Sequence, residues 1–145
     1  MKYIFAPIDY ASPEYDEAVD LRTRVLRIPL GIEFRAEDLS EEYDQYHFGL
    51  YDAGGGLAAC LIFKDMGKGC IKMRQVAVDP ERQRLGLGKI IISFAEKWAK
   101  MKGFGKIELA ARDTAVPFYL KQEYEVYGDP FIEVGIPHTA MCKSL

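Results

Sequence analysis

The spacing of hydrophobic residues predicts a strand followed by a helix at the start of the chain. Residues 3–8 form an apolar run that predicts a first strand. Ser12 and Pro13 are typical of a helix start, with the serine as N-cap and the proline at the first helical position. The apolar stripe that follows keeps helical spacing until Pro29, and it consists of Ala18, Val19, Leu21, Val25 and Leu26.

The middle of the chain predicts three consecutive antiparallel strands. A short helix from Ser40 through Gln45, capped by Ser40, is predicted to precede them. Residues 52–56 contain three glycines and form a hairpin signal, and residues 66–69 form a second turn. The three strands are predicted at residues 46–51, 57–64 and 70–78.

A strongly amphipathic helix is predicted from Gly86 to Lys102, where Gly103 ends it. Its predicted buried face consists of Ile90, Ile91, Phe94, Ala95, Trp98 and Met101. If the strands before and after this helix are parallel neighbours, their connection is right-handed. The remaining predicted elements are a strand at 106–111, a short helix at 114–122 and an antiparallel pair at 124–134 and 138–143.

These elements predict an α/β fold with a mixed, mostly antiparallel sheet flanked by helices. The order is β-α-α-β-β-β-α-β-α-β-β, and the 145 residues suit one domain over 1–145. The formal net charge of −3 argues against a nucleic-acid partner, which needs a basic face. The apolar stretch at 53–63 is too short to span a bilayer, and the first residues do not suit a signal peptide. We therefore expect a cytoplasmic protein with no nucleic-acid and no membrane partner.

The cysteines and histidines limit the chemistry that the chain can perform. Cys60, Cys70 and Cys142 are odd in number and have no metal-ligand spacing, and the chain has two histidines. No metal site is therefore expected. We interpret the three cysteines as reduced thiols of a cytosolic protein, with a nucleophilic cysteine as the less favoured alternative.

The segment from Val76 to Lys89, VAVDPERQRLGLGK, has the clearest chemical content. A strand ends at Val78, and Gly86 and Gly88 then precede a helix. Glycines let the backbone approach a ligand closely, and the first N–H groups of a helix lack internal partners and favour a negative group. A phosphate or pyrophosphate is the expected occupant, although glycines also occur here for plain turn geometry. The Rossmann and P-loop patterns do not fit, because the third glycine and the Ser or Thr are missing.

Gln83–Gly88, QRLGLG, resembles the Q/R-x-x-G-x-G/A signature of the GNAT superfamily of acetyl-CoA-dependent N-acetyltransferases. Val76–Pro80 resembles the strand before that signature, and Ala115–Tyr119 resembles the later A-x-x-F/L-Y segment. The element order is similar over essentially the whole chain, which implies a single GNAT-like domain. Gly135–His138 resembles the ending of small prokaryotic members whose acceptor is unassigned.

The resemblance implies acetyl-CoA as the acyl donor and no metal. The backbone of Val76, Ala77 and Val78 would align the pantetheine arm and polarise the thioester carbonyl. The loop would wrap the pyrophosphate with its N–H groups, and its residues are Arg84, Leu85, Gly86, Leu87, Gly88 and Lys89. The charges of Arg84, Lys89 and Arg82 could also pair with phosphates, but for Arg82 we favour a solvated charge. Gly88 is expected at the surface.

The resemblance also implies direct attack of a neutral amine on the thioester, with Tyr119 as general acid for the departing thiolate. Two positions depart from the family pattern. Arg112 stands where the family often has an asparagine that contacts CoA, although arginine could still donate to the cofactor. Glu123 stands where a residue with positive φ is often needed, which puts the local turn in doubt.

The sequence indicates less about the acceptor than about the acyl donor. The expected acceptor is a primary amine of a small molecule or peptide. Four residues are candidates for a general base, and none is assigned: Glu33, Glu41, Glu133 and His138. Three arginines on the first helix are interpreted as a solvated face, with an anionic acceptor as the less favoured alternative: Arg22, Arg24 and Arg27.

Two further readings remain open. The chain could be a non-catalytic module that senses acyl-CoA, or an acyltransferase that uses a different acyl group. Because dimers are frequent in the family and the closing strands could supply an exposed edge, the resemblance also allows a homodimer.

Overall fold

A computed structural model describes residues 2–27 and 39–145 of the chain, and it has one mixed sheet with helices on both faces. The strands are β1 (Ile4–Ile8), β2 (Tyr46–Tyr51), β3 (Leu57–Gly67), β4 (Cys70–Val78), β5 (Lys106–Arg112), β6 (Glu125–Val126), β7 (Phe131–Glu133) and β8 (Ile136–Ser144). The helices are α1 (Pro13–Arg22), α2 (Leu87–Met101) and α3 (Val116–Lys121), with a π-helical turn at Thr23–Arg27 and 3-10 turns at Pro80–Arg82 and Asp113–Ala115. No helix in these ranges combines the length and apolar composition that a membrane span needs.

The strands form a single sheet in the order β1-β2-β3-β4-β5-β8-β6, with β7 also paired to β8. β1 to β4 are antiparallel neighbours, and the hairpin signals predict the pairs β2–β3 and β3–β4 among them. β4 and β5 are parallel neighbours, and α2 forms the connection between them. The α/β fold class is therefore confirmed.

The pairing of β4 with β5 ends early, so the two strands separate after Lys72 and Glu108. This separation, the parting of the two strands, positions the site. Only three residue pairs join the two strands, of which the last is Lys72 with Glu108. β4 also contains a bulge at Gln75, which has a positive φ of 55°. A bulge re-aims the backbone and side chains that follow it. In the described ladder, the backbone of 76–78 therefore faces β5 without pairing to it.

The face of α2 that is buried differs from the predicted one. Ile91 and Ala95 are buried as predicted, but Met101 is 77% exposed and Phe94 is also exposed. The helix is rotated so that positions four residues apart face the sheet, and Phe94 lies at the margin, where it stacks on Phe5 with ring centroids 5.4 Å apart. The buried residues of α2 are Leu87, Ile91, Ile92, Ala95 and Ala99.

The opposite face of the sheet is covered by α1. Its buried residues Tyr15, Ala18 and Leu21 pack in one cluster with Cys60 and Ala77 of the sheet. The serine N-cap predicted for this helix is present, because the Ser12 hydroxyl accepts a hydrogen bond from a backbone N–H of the first turn. The two faces of the sheet are thus distinct, with α2 on one and α1 on the other.

The short helix predicted from Ser40 through Gln45 is not formed. Residues 39 and 40 are helical, but residues 41–44 form turns. The backbone bonds here join residues three apart, from Glu42 N–H to the Leu39 carbonyl and from Gln45 N–H to the Glu42 carbonyl. The Glu42 carboxylate points inward and binds the buried guanidinium of Arg22.

The strand predicted at 124–134 is divided in two. β6 and β7 both pair with β8, and the residues between them, 127–130, interrupt the ladder. Val126 opposes Met141 while Phe131 opposes His138, so this side of the ladder holds two extra residues. Pro130 cannot donate a ladder hydrogen bond, which explains why pairing stops there.

The turn that follows α3 is formed although Glu123 occupies its left-handed position. Glu123 has a positive φ of 70°. The N–H of Glu123 donates to the carbonyl of Leu120, and the N–H of Tyr124 donates to that of Tyr119, each at 3.0 Å. This is the Schellman arrangement, in which glycine is the usual residue at the left-handed position. It anchors the helix that carries Tyr119.

We expect Glu123→Gly to raise the free energy of unfolding by about 0.5–1 kcal/mol. A left-handed non-glycine residue costs about 1–2 kcal/mol, and the extra freedom of glycine in the unfolded chain offsets part of that gain. Urea denaturation measures the effect. Glu123→Ala is the control and should stay close to wild type, because alanine keeps the backbone cost. A glycine variant no more stable than the alanine variant would contradict the prediction.

Candidate functional site

A cleft of about 720 Å³ opens where β4 and β5 part. Its walls come from these strands, from the 3-10 turn and α3 that follow β5, from the π-helical turn and from the β7–β8 hairpin. The residues that line the cleft include Arg27, Arg74, Gln75, Val76, Arg112, Phe118, Tyr119, Glu133 and His138.

The N-terminus of α2 presents free backbone donors beside this cleft. Gly86 is the N-cap in the left-handed conformation, it provides no side-chain cap, and the first turn holds no acidic residue. The first intrahelical N–H is that of Ile90, which bonds to the Gly86 carbonyl at 3.1 Å. The N–H groups of 87–89 therefore lack helix partners, and a Cβ at Gly86 would meet no atom within 4 Å. This geometry suits the predicted phosphate group.

Gly88 is not at an open surface, contrary to expectation. It is half-buried, and a Cβ there would lie 3.3 Å from the Phe118 ring. The glycine thus allows α2 and α3 to approach, which is a packing role. In contrast, Leu85 is 57% exposed, and Arg84 and Lys89 are exposed too.

Arg82 is partly exposed, but its guanidinium is held in ion pairs and is not a free solvated charge. It forms ion pairs with Asp52 of the β2–β3 hairpin and with Asp79. The N–H groups of Gly54 and Gly56 also donate to Asp52. The hydrogen bond from Gly56 and that from Arg82 lower the pKa of this carboxyl below its usual value. Arg82 therefore ties the hairpin to the start of the glycine loop.

The strand residues predicted to face the cofactor lie along the parting. Val76 and Val78 are partly buried and pack against the core under α2. Ala77 is buried and points to the α1 side. The side chains are thus engaged in packing, and the strand pairs with β3 on one edge. Only the backbone groups on the edge that faces β5 remain for a ligand between the strands.

Tyr119 lines the cleft and is 9% exposed. Its ring packs against Phe118 and Tyr124, with centroids 5.1 and 5.7 Å away. Among the described residues its hydroxyl has no hydrogen-bond partner, whereas the Tyr124 hydroxyl donates to Glu96 at 2.9 Å. Burial raises the pKa of Tyr119 to about 12, so the phenol is protonated at neutral pH.

Arg112 lies at the end of β5, where its guanidinium donates to the Leu26 carbonyl at 3.0 Å. This bond joins β5 to the π-helical turn across the α1 side of the sheet. The contact of Arg112 with the cofactor stays a prediction.

His138 and Glu133 come together in the cleft. The Nδ1–H of His138 donates to the Ile136 carbonyl at 2.8 Å, which leaves the lone pair on Nε2. That nitrogen is 3.8 Å from a carboxylate oxygen of Glu133. Of the other candidate bases, Glu41 is exposed and does not line the cleft, and Glu33 lies outside the described residues.

The three arginines of the first helix do not form one solvated face. Arg22 is 1% exposed and forms two hydrogen bonds to Glu42, at 2.8 and 2.7 Å. Arg24 is exposed and pairs with Asp20, and Arg27 lines the cleft. The burial of Arg22 cannot be predicted from the residues next to it, because its partner Glu42 is 20 residues away in the chain.

All three cysteines carry free thiols, as predicted. Burial raises the pKa of Cys60 to about 12, and burial also raises the pKa of Cys70. A thiol reacts as its thiolate, so both are poor nucleophiles.

A second depression, of about 430 Å³, lies beside α1 and Leu57. Three of its five lining residues are acidic: Asp16, Glu17 and Asp20. It suits a phosphate-bearing ligand poorly, and the cleft at the parting remains the candidate site.

Comparison with known proteins agrees with this geometry. The family model described as an acetyltransferase (GNAT) domain matches residues 33–145. The uncharacterized protein YyaT of Bacillus subtilis (strain 168) is 35% identical over 74 residues, 51% of this chain and 50% of that protein. The matched segment thus spans about half the length of the curated relatives.

Solved structures are similar over the whole fold. A Lactobacillus plantarum protein with a provisional N-acetyltransferase assignment has a TM-score of 0.85 at 27% identity, covering 99% of this chain and 97% of that one. An aminoglycoside 6'-N-acetyltransferase solved with coenzyme A has a TM-score of 0.80 at 16% identity, covering 97% and 96%. The second likeness concerns the fold alone. Since the family model extends over most of the chain, including the glycine loop and both strands of the parting, this protein belongs to the GNAT family of acetyltransferases.

Proposed function

We propose that this protein transfers the acetyl group of acetyl-CoA to a primary amine of a small molecule or peptide by direct attack. The parting of β4 from β5 is the observation that carries the proposal. It forms a cleft beside the uncapped start of α2, and Tyr119 lines the same cleft. A molecule with a pyrophosphate at one end and a thioester at the other suits this arrangement.

The donor half rests on backbone groups. The unpaired N–H groups at 87–89 would hold the pyrophosphate, as helix starts do. The bulged strand at 76–78 would align the pantetheine arm, and one of its N–H groups would stabilise the oxyanion. One such donor contributes roughly 3 kcal/mol to the transition state. The crystal structure of the aminoglycoside 6'-N-acetyltransferase with coenzyme A supports this choice of donor.

Two side chains on the walls of the cleft would assist the transfer, one as a hydrogen-bond donor to sulfur and one as a base for the amine. The neutral amine attacks the thioester carbon, and the C–S bond of the tetrahedral intermediate then breaks. The Tyr119 hydroxyl donates its hydrogen bond to the departing sulfur. The amine loses its proton to the lone pair on Nε2 of His138, which Glu133 adjoins. The sulfur leaves as a thiolate and then takes up a proton from water, while His138 returns the amine proton to water. The products are the acetylated amine and the CoA thiol.

The hydroxyl of Tyr119 favours an enzyme over a sensor of acyl-CoA. A sensor needs only packing at this position, whereas Tyr119 brings a polar hydroxyl that has no hydrogen-bond partner among the described residues, and the residue lines the cleft. The acyl group, the cytoplasmic location and a homodimer stay predictions. The exposed apolar residues of the closing strands are the surface that a homodimer would use: Val126, Tyr127, Phe131 and Ile132.

The proposal is tested by release of CoA thiol from acetyl-CoA in the presence of a panel of amines and short peptides. We expect at least one amine to accelerate thiol release. Calorimetry should show binding of CoA and acetyl-CoA, and much weaker binding of NAD and ATP. A folded sample that does not bind CoA would contradict the assignment of the donor.

Leu85→Glu should weaken CoA binding about tenfold, and Leu85→Gln should change it little. The exposed position takes either side chain without repacking, so the two variants differ only in charge. A new negative charge a few ångströms from a pyrophosphate costs on the order of 1–4 kcal/mol. Calorimetry at low salt measures the difference, which added salt should reduce. Equal affinity of the two variants would place the pyrophosphate elsewhere.

A further inference from the structure

The side of the cleft that faces α1 carries cationic side chains. On β4, Ile71 and Met73 are buried in the core under α2. Strand residues alternate between faces, so Lys72 and Arg74 point toward α1. Both are half-buried, and both line the cleft.

The other strand of the parting adds a second guanidinium to this side. On β5, Leu109 and Ala111 are buried under α2, so Arg112 points toward α1 as well. Arg27 also lines the cleft. Among the described lining residues, Glu133 is the only carboxylate.

Arg74 and Arg112 have neutral partners only. Arg74 donates to the amide oxygen of Gln45 at 2.7 Å, and Arg112 donates to the carbonyl of Leu26 at 3.0 Å. Over the described part of the chain, no carboxylate lies within 4.0 Å of either guanidinium. Partial burial of an uncompensated charge is unfavourable.

Two other arginines that are buried or partly buried have carboxylate partners. Arg22 has the carboxylate of Glu42, and Arg82 has two carboxylates. Arg74 and Arg112 are therefore set apart from Arg22 and Arg82 by lacking a carboxylate partner, and they flank the gap where the acceptor would enter.

We infer that the acceptor amine also carries a carboxylate, which Arg74 and Arg112 hold, so that Arg112 serves the acceptor in place of the predicted contact with the cofactor. The planar guanidinium donates two parallel hydrogen bonds and matches a carboxylate. The amine end of the acceptor lies toward the carboxylate of Glu133 and the imidazole of His138. This inference rests on the proposed function. It places the carboxylate on the face of the sheet opposite α2, whose N-terminus would hold the CoA pyrophosphate.

The test compares acceptors that differ only in the carboxylate, at saturating acetyl-CoA. The panel contains amino acids, their carboxamides and their decarboxylated amines. We expect kcat/KM for the best amino acid to exceed that for its carboxamide at least about tenfold, the usual size for a hydrogen-bonded charge. Arg74→Gln should bring this ratio close to one, mainly through the KM of the acceptor, and Arg74→Lys should retain part of it.

Two controls separate the carboxylate site from a structural role. Arg24→Gln removes one exposed arginine that lies outside the cleft, and it should leave the ratio unchanged. The dissociation constant of CoA should be the same in all variants. A merely structural Arg74 would lower turnover of amino acid and carboxamide equally and leave the ratio intact.

The outcomes distinguish this inference from the proposed function. Transfer to carboxamides and decarboxylated amines as efficient as to amino acids would overturn the inference and leave the acetyltransferase proposal standing. An unchanged ratio in Arg74→Gln would do the same. Transfer to no amine at all, by protein that binds acetyl-CoA, would overturn both.

Discussion

Tyr119→Phe is expected to lower kcat about ten- to a hundredfold while the affinity for acetyl-CoA stays nearly unchanged. The substitution removes only the hydroxyl, and the ring keeps its contacts with Phe118 and Tyr124. A group that acts on the departing sulfur contributes mainly in the transition state. Its loss therefore changes kcat more than binding.

The expected effect is at or below the lower end of what general acids supply, about a hundredfold, because the proton transfer is unfavourable at equilibrium. Burial raises the pKa of Tyr119 to about 12, whereas a thiol such as that of CoA has a pKa of about 8.5. The thiolate is also a fair leaving group by itself. Tyr119 would therefore stabilise the developing charge on sulfur through a hydrogen bond.

Two other variants identify the role of the ring. Tyr119→Ala should also raise the KM of acetyl-CoA, because it removes a wall of the cleft. Tyr124→Phe removes a hydroxyl from the same region, but that hydroxyl is bonded to Glu96, so stability should fall and kcat should hold. Wild-type turnover by folded Tyr119→Phe would show that the ring only packs against the donor.

Glu42→Gln is expected to lower the free energy of unfolding by about 3–5 kcal/mol. The carboxylate is 2% exposed and accepts hydrogen bonds from Arg22 and from the Tyr15 hydroxyl at 2.9 Å. Its replacement removes the buried negative charge to which two nitrogens of the Arg22 guanidinium donate hydrogen bonds. Thermal or urea denaturation measures the change, and Glu41→Gln, an exposed neighbour, should have almost no effect.

The pH dependence gives an independent check on the Glu42 prediction. Burial alone would raise the pKa of Glu42, but the hydrogen bonds and charge of Arg22 and the bond from Tyr15 outweigh it and lower the pKa. The stabilisation is thus complete above the unfolded value, about 4.3, and is lost as the pH falls through the lowered pKa. The difference between wild type and Glu42→Gln should shrink in acid. A constant difference would contradict this account.

The parts of the structure that depend on neighbouring residues could be predicted from the sequence. The N-cap of α1, the strand–helix–strand unit around α2 and the glycine loop all follow from short patterns. Tyr119 was found through its resemblance to a family segment, and the structure places it in the cleft. Its role in the reaction stays a prediction.

The parts that depend on distant residues could not be predicted. Arg22 pairs with Glu42 only because α1 packs beside the turn at 41–44, and that packing has no local pattern. The contact of Gly88 with Phe118 likewise depends on how α2 meets α3. The bulge at Gln75 and the early end of the β4–β5 ladder arise from the whole sheet, so the cleft was not visible in the sequence.

The location of the acetyl group after a single turnover tests the central claim most directly. Protein in excess over acetyl-CoA with a radiolabelled acetyl group is mixed with the best amine of the panel and quenched at successive times. We expect the label to pass from CoA to the amine in one phase, with none on the protein, because attack is direct and the Cys60 and Cys70 thiols have raised pKa values. Label that accumulates on a cysteine before it reaches the amine, or that never reaches any amine, would contradict the account.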